Sequence, residues 1–298
     1  MLADPGDRVH LPAPGYGLFE HLAALEGVET ERYPLRAPAE RSGGARWRID
    51  LDALAAGLSA RSRVLVVIHP HNPTGSFVDP EDFRALCGIA RERGLALVSD
   101  EVFADFPHDG ARPPGALVGG DGAALRFVLS GASKVLALPQ LKIAWIAVAG
   151  PEALRDEALA RLEFAADAYL SVSPLAARAL ARLLPHHDEI QQPVRARIEE
   201  NRARLAERLA TSARVRGLPA EAGWSAVVRV AGEPDEDALV LGLLEQSGVL
   251  VQPGYLFDLG ADDEGCALVL SLLLEPRDFA RGLDALLAFV ESRPPARS

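Results

Sequence analysis

Of the 31 lysines and arginines in this 298-residue chain, only Lys134 and Lys142 are lysine, and both fall in one stretch, SGASKVLALPQLKIAW, from Ser130 to Trp145. An amine can lose its proton, attack a carbonyl and hold it as a Schiff base, whereas a guanidinium stays charged and cannot. Lys134 is therefore the candidate for carrying a carbonyl cofactor. A solvated surface lysine is the plainer account, but both lysines lie in one apolar segment punctuated by glycine and proline, which argues against it. Two other polar residues sit in compact motifs upstream: Asn72 in HPHNPTG and Asp100 in SDE. Alone, Asn72 before a proline reads as a turn former and Asp100 as a cap.

The elements that must position these three residues can be read from the apolar pattern. Val64 to Ile68 is a continuous β-branched run, the signature of a strand buried on both faces of a parallel sheet. Ligands of open α/β sheets bind beyond the carboxyl ends of such strands, and HPHNPTG follows this one directly. Asp79-Pro80-Glu81-Asp82 then predicts a capped helix running to Arg93 and stopped by Gly94, and Leu95 to Val98 the next buried strand, ending in Ser99-Asp100-Glu101. That is a βαβ crossover. A third strand, Leu125 to Leu129, delivers Lys134, and a fourth, Ile143 to Val148, returns. Three strand ends thus present Asn72, Asp100 and Lys134 to one sheet edge. No glycine-rich dinucleotide turn accompanies them.

The flanking regions complete an α/β fold in two parts. Ahead of Val64, Asp4 to Asp7 reads as a turn, Val9 to Leu11 and Val28 to Leu35 as strands, Tyr16 to Leu25 as a helix and Gly43-Gly44 as a loop. Asp50 caps a short helix carrying Leu51, Leu54 and Leu58. From Pro151 to about residue 210 the pattern is helical, broken near Ser171 to Pro174 and at Pro185. Trp224 to Val230, Val249 to Gln252 and Ala267 to Leu274 read as strands, Asp235 to Gln246 and Arg277 to Val290 as helices, and Pro294-Pro295 as a frayed tail. The expected organisation is a large, mostly parallel-sheet domain with an interdomain helix over residues 1–186 and a C-terminal α+β small domain over 187–298.

Pyridoxal 5'-phosphate, used as an electron sink, asks a protein for a lysine, a carboxylate facing the ring nitrogen, a donor to the ring oxygen and an anion site. Lys134 would form the aldimine and shuttle a proton, Asp100 would hold the pyridinium, and the Asn72 amide would reach the phenolic oxygen. Ser133 and Lys142 are the candidates for the phosphate. His69, His71 and Glu101 read as loop architecture; Trp224 and Tyr255 read as small-domain packing, with Tyr255 near the substrate mouth.

A net charge of -11 with no clustered basic face argues against nucleic acid or an anionic membrane as partner. Cys87 and Cys266 have neither metal nor redox spacing, so both read as core thiols of a cytoplasmic protein. No metal site is expected. No apolar run is long enough to span a bilayer, and the first residues lack the order of a signal peptide.

HPHNPTG, SDEVFADF and SGASKVLALPQLKIAWI, with DPGDRV, PAPGYGLFEHLAAL, GVLVQPGYLFDLG and LVLSLLLEP around them, resemble the class I/II aminotransferases of fold type I. The resemblance implies a type I pyridoxal-phosphate fold, a homodimer, amino acid and 2-oxo acid substrates, and Asn72, Asp100 and Lys134 as cofactor contacts. It also implies a segment ahead of Met1 with the opening strand, an aromatic stacked on the ring and a phosphate-cradling loop, so the large domain is expected to be incomplete. Phe103 stands where the resemblance expects a tyrosine at the ring oxygen, and Gly131 where it expects a serine. Lys142 and Val269 each replace an arginine, the second being the one that grips the substrate carboxylate. Three functions stay open: transamination, elimination at a C–S or β bond by the same cofactor, and a degenerate, non-catalytic protein.

Overall fold

The computed structural model describes residues 1–36, 46–110, 122, 124–169, 172–261 and 265–293; the expected Gly43-Gly44 loop, Ser171 and the Pro294-Pro295 tail lie outside them. Seven strands form the first sheet: β1 (Arg8–Ala13), β2 (Glu29–Arg36), β3 (Arg48–Ile49), β4 (Ser62–Ile68), β5 (Ala96–Asp100), β6 (Arg126–Gly131) and β7 (Ala144–Ala149). Their order is β3-β2-β1-β4-β5-β6-β7. β2, β1, β4, β5 and β6 pair in parallel, and only the edge strands β3 and β7 run antiparallel to their neighbours. Val64 to Ile68 is buried throughout, as its unbroken β-branched run requires of a strand covered on both faces.

Helices α1 (Leu18–Leu25) and α2 (Leu51–Gly57) lie in the first part of the chain, and α3 (Pro80–Arg93) crosses from β4 to β5. The Asp50 carboxylate accepts from Ala53 N at 3.1 Å, satisfying one of the orphan donors of α2. α3 begins on Pro80 and stops at Gly94, which takes the left-handed conformation at φ 66°. Asp79, at the N-cap position of α3, makes no side-chain cap bond; its carboxylate is drawn instead to Arg46 and Arg48, 2.6 Å from each. Leu86, Cys87 and Ala90 of α3 pack on Leu65, Val67 and Leu97 of the sheet.

After the short helix α4 (Ala132–Val135) come α5 (Glu152–Ala168), α6 (Pro174–Leu183) and α7 (His187–Leu209), with a 3-10 turn at Leu184–His186 where Pro185 breaks the pattern. A second, antiparallel sheet contains β8 (Val215–Gly217), β9 (Ser225–Val230), β10 (Gln252–Pro253) and β11 (Cys266–Ser271), in the order β10-β11-β9-β8. Helices α8 (Glu236–Ser247) and α9 (Pro276–Ser292) complete this part. Its sheet departs from expectation in two places. The strand expected over Val249 to Gln252 pairs only at Gln252 and Pro253, and the three-residue β8 is too short to show a period of two. Among the described residues no helix is long and apolar enough to cross a membrane.

α7 joins the two parts through polar side chains buried along its length. Near its start, Gln191 donates to Val135 O at 2.8 Å and Arg195 to Asp105 O at 3.1 Å. Further along, the fully buried Asn201 donates through Nδ2 to Leu272 O at 2.9 Å and Leu274 O at 2.8 Å, fixing the turn after β11. Asn201→Leu strips both carbonyls of their donor inside the core. We expect a loss of about 2–4 kcal/mol of unfolding free energy, read by urea denaturation.

Candidate active site

Parallel pairing of β4, β5 and β6 sets Ile68 opposite Asp100, and Asp100 opposite Leu129. The residues leaving these three ends therefore meet. Asn72 follows β4, Asp100 closes β5, and Ser133 and Lys134 sit in α4 directly after β6. All four, with Phe103, line one cavity of about 730 Å³.

The loop after β4 is stitched to itself. His71 N donates to Ser76 O at 2.8 Å, Gly75 N to His71 O at 2.7 Å, and Val78 N to His69 Nδ1 at 2.9 Å. His71 Nδ1 lies 2.9 Å from Thr74 Oγ1, and burial holds the His71 ring down to a pKa of about 3, neutral at any ordinary pH. His69, His71 and Glu101 are thus buried structural groups: Ser99 Oγ donates to the Glu101 carboxylate at 3.1 Å.

A segment of the second part closes over this loop. Glu221 N donates to Gly75 O at 3.0 Å, Phe77 N donates to the Glu221 carboxylate at 3.1 Å, and Gly223 N donates to Phe106 O at 2.8 Å. Gly75 has φ 69°, and a Cβ there would lie 2.3 Å from Ala222 O, so only glycine allows the approach. The consequence is the placement of Trp224. Its ring meets Phe103 edge-on at 4.9 Å and 82°, and Lys134 Nζ stands 4.5 Å from its centroid and 5.5 Å from that of Phe103. Reading Trp224 as small-domain packing alone is corrected: it packs there and also walls the site. Only the fold brings it to Lys134, although Gly223-Trp224 just ahead of β9 is the kind of turn that could have marked it.

Tyr255 does not reach the cavity. It is half exposed and donates its hydroxyl to Asp237 at 3.0 Å, because the 3-10 turn at Gly254–Phe257 directs it toward α8. Lys142 also stands apart. It is exposed, in the left-handed conformation at φ 52°, and is not among the residues lining the cavity, because the turn over Pro139–Leu141 carries it past the site. Gly131 has a steric reason: a Cβ there would sit 3.0 Å from Ile143 O and 3.2 Å from Ala144 Cα of β7.

Burial sets the electrostatics. Desolvation lowers the Lys134 amine below the usual lysine range, partly offset by the attraction of Asp100. Desolvation likewise raises the Asp100 carboxyl, against the Val102 N–H, which donates to it at 3.1 Å, and the charge of Lys134. Asn72 Oδ1 accepts weakly from Ser225 Oγ at 3.5 Å, which leaves its amide N–H groups as donors toward the cavity. Among the described residues no cluster of His, Cys, Asp and Glu could hold a metal ion. An acid, an amide and an amine around a space walled by Ile68, Val102, Phe103 and Trp224 suit a planar, protonatable heterocycle bearing an aldehyde, as in pyridoxal phosphate. With only two lysines in the chain, the lowered amine can be tested directly. A limiting amine-selective reagent at about pH 8 should label Lys134 ahead of the more exposed Lys142, and Asp100→Asn should widen the ratio, as read by peptide mass spectrometry.

The sequence matches the family described as aminotransferase class I and II over residues 1–267. It is 35% identical over 254 residues to capreomycidine synthase of Streptomyces vinaceus, covering 84% of this chain and 61% of that protein. It is 28% identical over 298 residues to alanine aminotransferase of Mycobacterium tuberculosis, covering 98% and 67%. The structure superimposes on a crystal structure of an aminotransferase from Escherichia coli with a TM-score of 0.85 at 23% identity, covering 98% of this chain and 71% of the other. The chain thus spans about three fifths to two thirds of the length of these two curated relatives.

Proposed function

Because the chain belongs to the class I and II aminotransferases, with a type I fold, we propose that it moves an amino group between an amino acid and a 2-oxo acid with pyridoxal phosphate as cofactor. The observation that carries this reading is the convergence of Asn72, Asp100 and Lys134 on one cavity from three successive strand ends. When bound, pyridoxal phosphate supplies an electron sink for the bonds at a substrate's α-carbon.

The chain's own residues have distinct tasks in this reading. Lys134 is the attachment lysine. Its amine, lowered by burial, is more readily neutral and nucleophilic than a surface lysine, and once released it can carry a proton to and from the α-carbon. Asp100, held by Val102 N–H, would be the negative partner that keeps a proton on the ring nitrogen. Asn72 offers its amide N–H to the ring oxygen. Phe103 supplies an apolar edge and no hydroxyl to share that oxygen. The Ser133 hydroxyl would be the phosphate contact from within the cavity, whose lining does not include Lys142.

Purified protein mixed with pyridoxal phosphate should develop the visible absorbance of a lysine-bound cofactor, and Lys134→Ala should abolish it. No band at saturating cofactor sinks the proposal. Asp100→Asn should keep binding yet slow amino transfer by roughly two to four orders of magnitude.

A homodimer and a cytoplasmic setting belong to the same proposal. Cys87 and Cys266 are both buried as thiols, in keeping with a reducing compartment. Phe164 on α5 and Leu175 on α6 are each 81% exposed, and Tyr169 between those helices is 78% exposed, more apolar surface than a lone chain leaves to water without cost. Light scattering should give twice the chain mass, and Phe164→Asp with Leu175→Asp should shift it to the monomer.

A further inference from the structure

The cavity that holds Lys134 and Asp100 is lined by many apolar residues besides. At about 730 Å³ it lies within the range that buries a drug-sized molecule. Much of its lining is apolar: Phe279, Leu283 and Leu286 follow one face of α9, and Val251, Leu270 and Leu274 line it with them. Gly282, on the same helix, lines the cavity too. A Cβ there would meet only Val249 Cγ1, at 3.9 Å, so the missing side chain keeps this end open.

Charge is distributed one-sidedly. Among the described residues lining the cavity, Asp100 and Lys134 are the only charged side chains. Among the described lining residues there is no arginine, histidine or further lysine to receive an anion once Lys134 is engaged. Where β10 and β11 border the cavity, Gln252 lies across the strands from Val269, and Ser271 follows two residues on. These are neutral donors. A carboxylate arriving at this wall finds hydrogen bonds without an ion pair, so most of its hydration cost goes unrecovered. An apolar substituent finds a continuous face that rewards burial.

We infer that this site selects an amino acid with a long apolar or aromatic side chain, recognised along α9, its carboxylate being met by neutral donors and adding little to affinity. The amino-acid part rests on the aminotransferase reading of the same site. The side-chain part rests on the cavity wall alone. Short amino acids and dicarboxylic ones are the classes this wall disfavours.

Calorimetric titrations with butyrate, 4-phenylbutyrate and 4-phenylbutan-1-ol separate the contributions. They are run on the full chain saturated with pyridoxal phosphate, and on cofactor-free Lys134→Ala so that the lysine itself supplies no cation. In both, 4-phenylbutyrate should bind about tenfold or more tighter than butyrate, with the alcohol within about threefold of the acid. Gly282→Leu, which fills the open end without crowding backbone, should remove the phenyl advantage. Gln252→Arg, at an exposed position, should raise the acid over the alcohol by about tenfold. Equal binding of butyrate and 4-phenylbutyrate would overturn the inference. So would a preference for the acid of more than about thirtyfold in the unsubstituted site, or a phenyl advantage that survives Gly282→Leu. Absence of the cofactor band would sink the transamination reading, while the Lys134→Ala titrations still decide the side-chain selection.

Discussion

Parallel pairing of β4, β5 and β6 is the constraint from which the site follows. In a parallel ladder every strand ends at the same edge, so whatever each loop carries is delivered to one place. β4 ends toward Asn72, β5 on Asp100 and β6 toward Lys134, and the register that sets Ile68 beside Asp100 and Asp100 beside Leu129 leaves them at one level. The pairing holds because Val64 to Ile68 is buried on both faces, against α3 on one side and other apolar side chains of the chain on the other. A slip of one residue would turn these side chains to the opposite faces and scatter the three polar groups.

The second part of the chain does more than pack against the first. Backbone groups of Glu221 and Gly223 are hydrogen-bonded to Gly75 and Phe106, and Ala222 lies where any side chain at position 75 would clash. These contacts put Trp224 beside Lys134 and Ser225 within reach of Asn72. α7 makes a second connection, its early side chains bonded to Val135 and Asp105 and its later ones to the turn after β11. Motion between the parts must therefore work against polar contacts that touch the site itself.

Electrostatics and sterics in the site arise from the same burial. Enclosing Lys134 and Asp100 raises the cost of each charge, shifting the amine down and the acid up, while their mutual attraction limits both shifts. Burial thus works against both charges, and the pairing of Lys134 with Asp100 offsets part of it. Of the two residues the sequence offered for an anion, Ser133 lines the cavity and Lys142 does not.

Much of this is legible in the amino-acid sequence itself. The β-branched run at 64–68, Pro80 and Gly94 bounding a helix, Asp50 as a cap, and the order of Asn72, Asp100 and Lys134 at strand ends all rest on local rules: periodicity, propensity and turn chemistry act over a few residues and leave their mark in the sequence. Contacts between distant segments leave no such mark. That Trp224 walls the site, that Tyr255 turns to Asp237, that Asp79 answers Arg46 and Arg48 in place of capping its helix, and that Lys142 misses the cavity depend on where two sheets and a long helix come to rest. The identity of the polar groups at the strand ends was decided by local sequence, and the company they keep by packing, because a side chain's surroundings in a folded protein come largely from residues far along the chain.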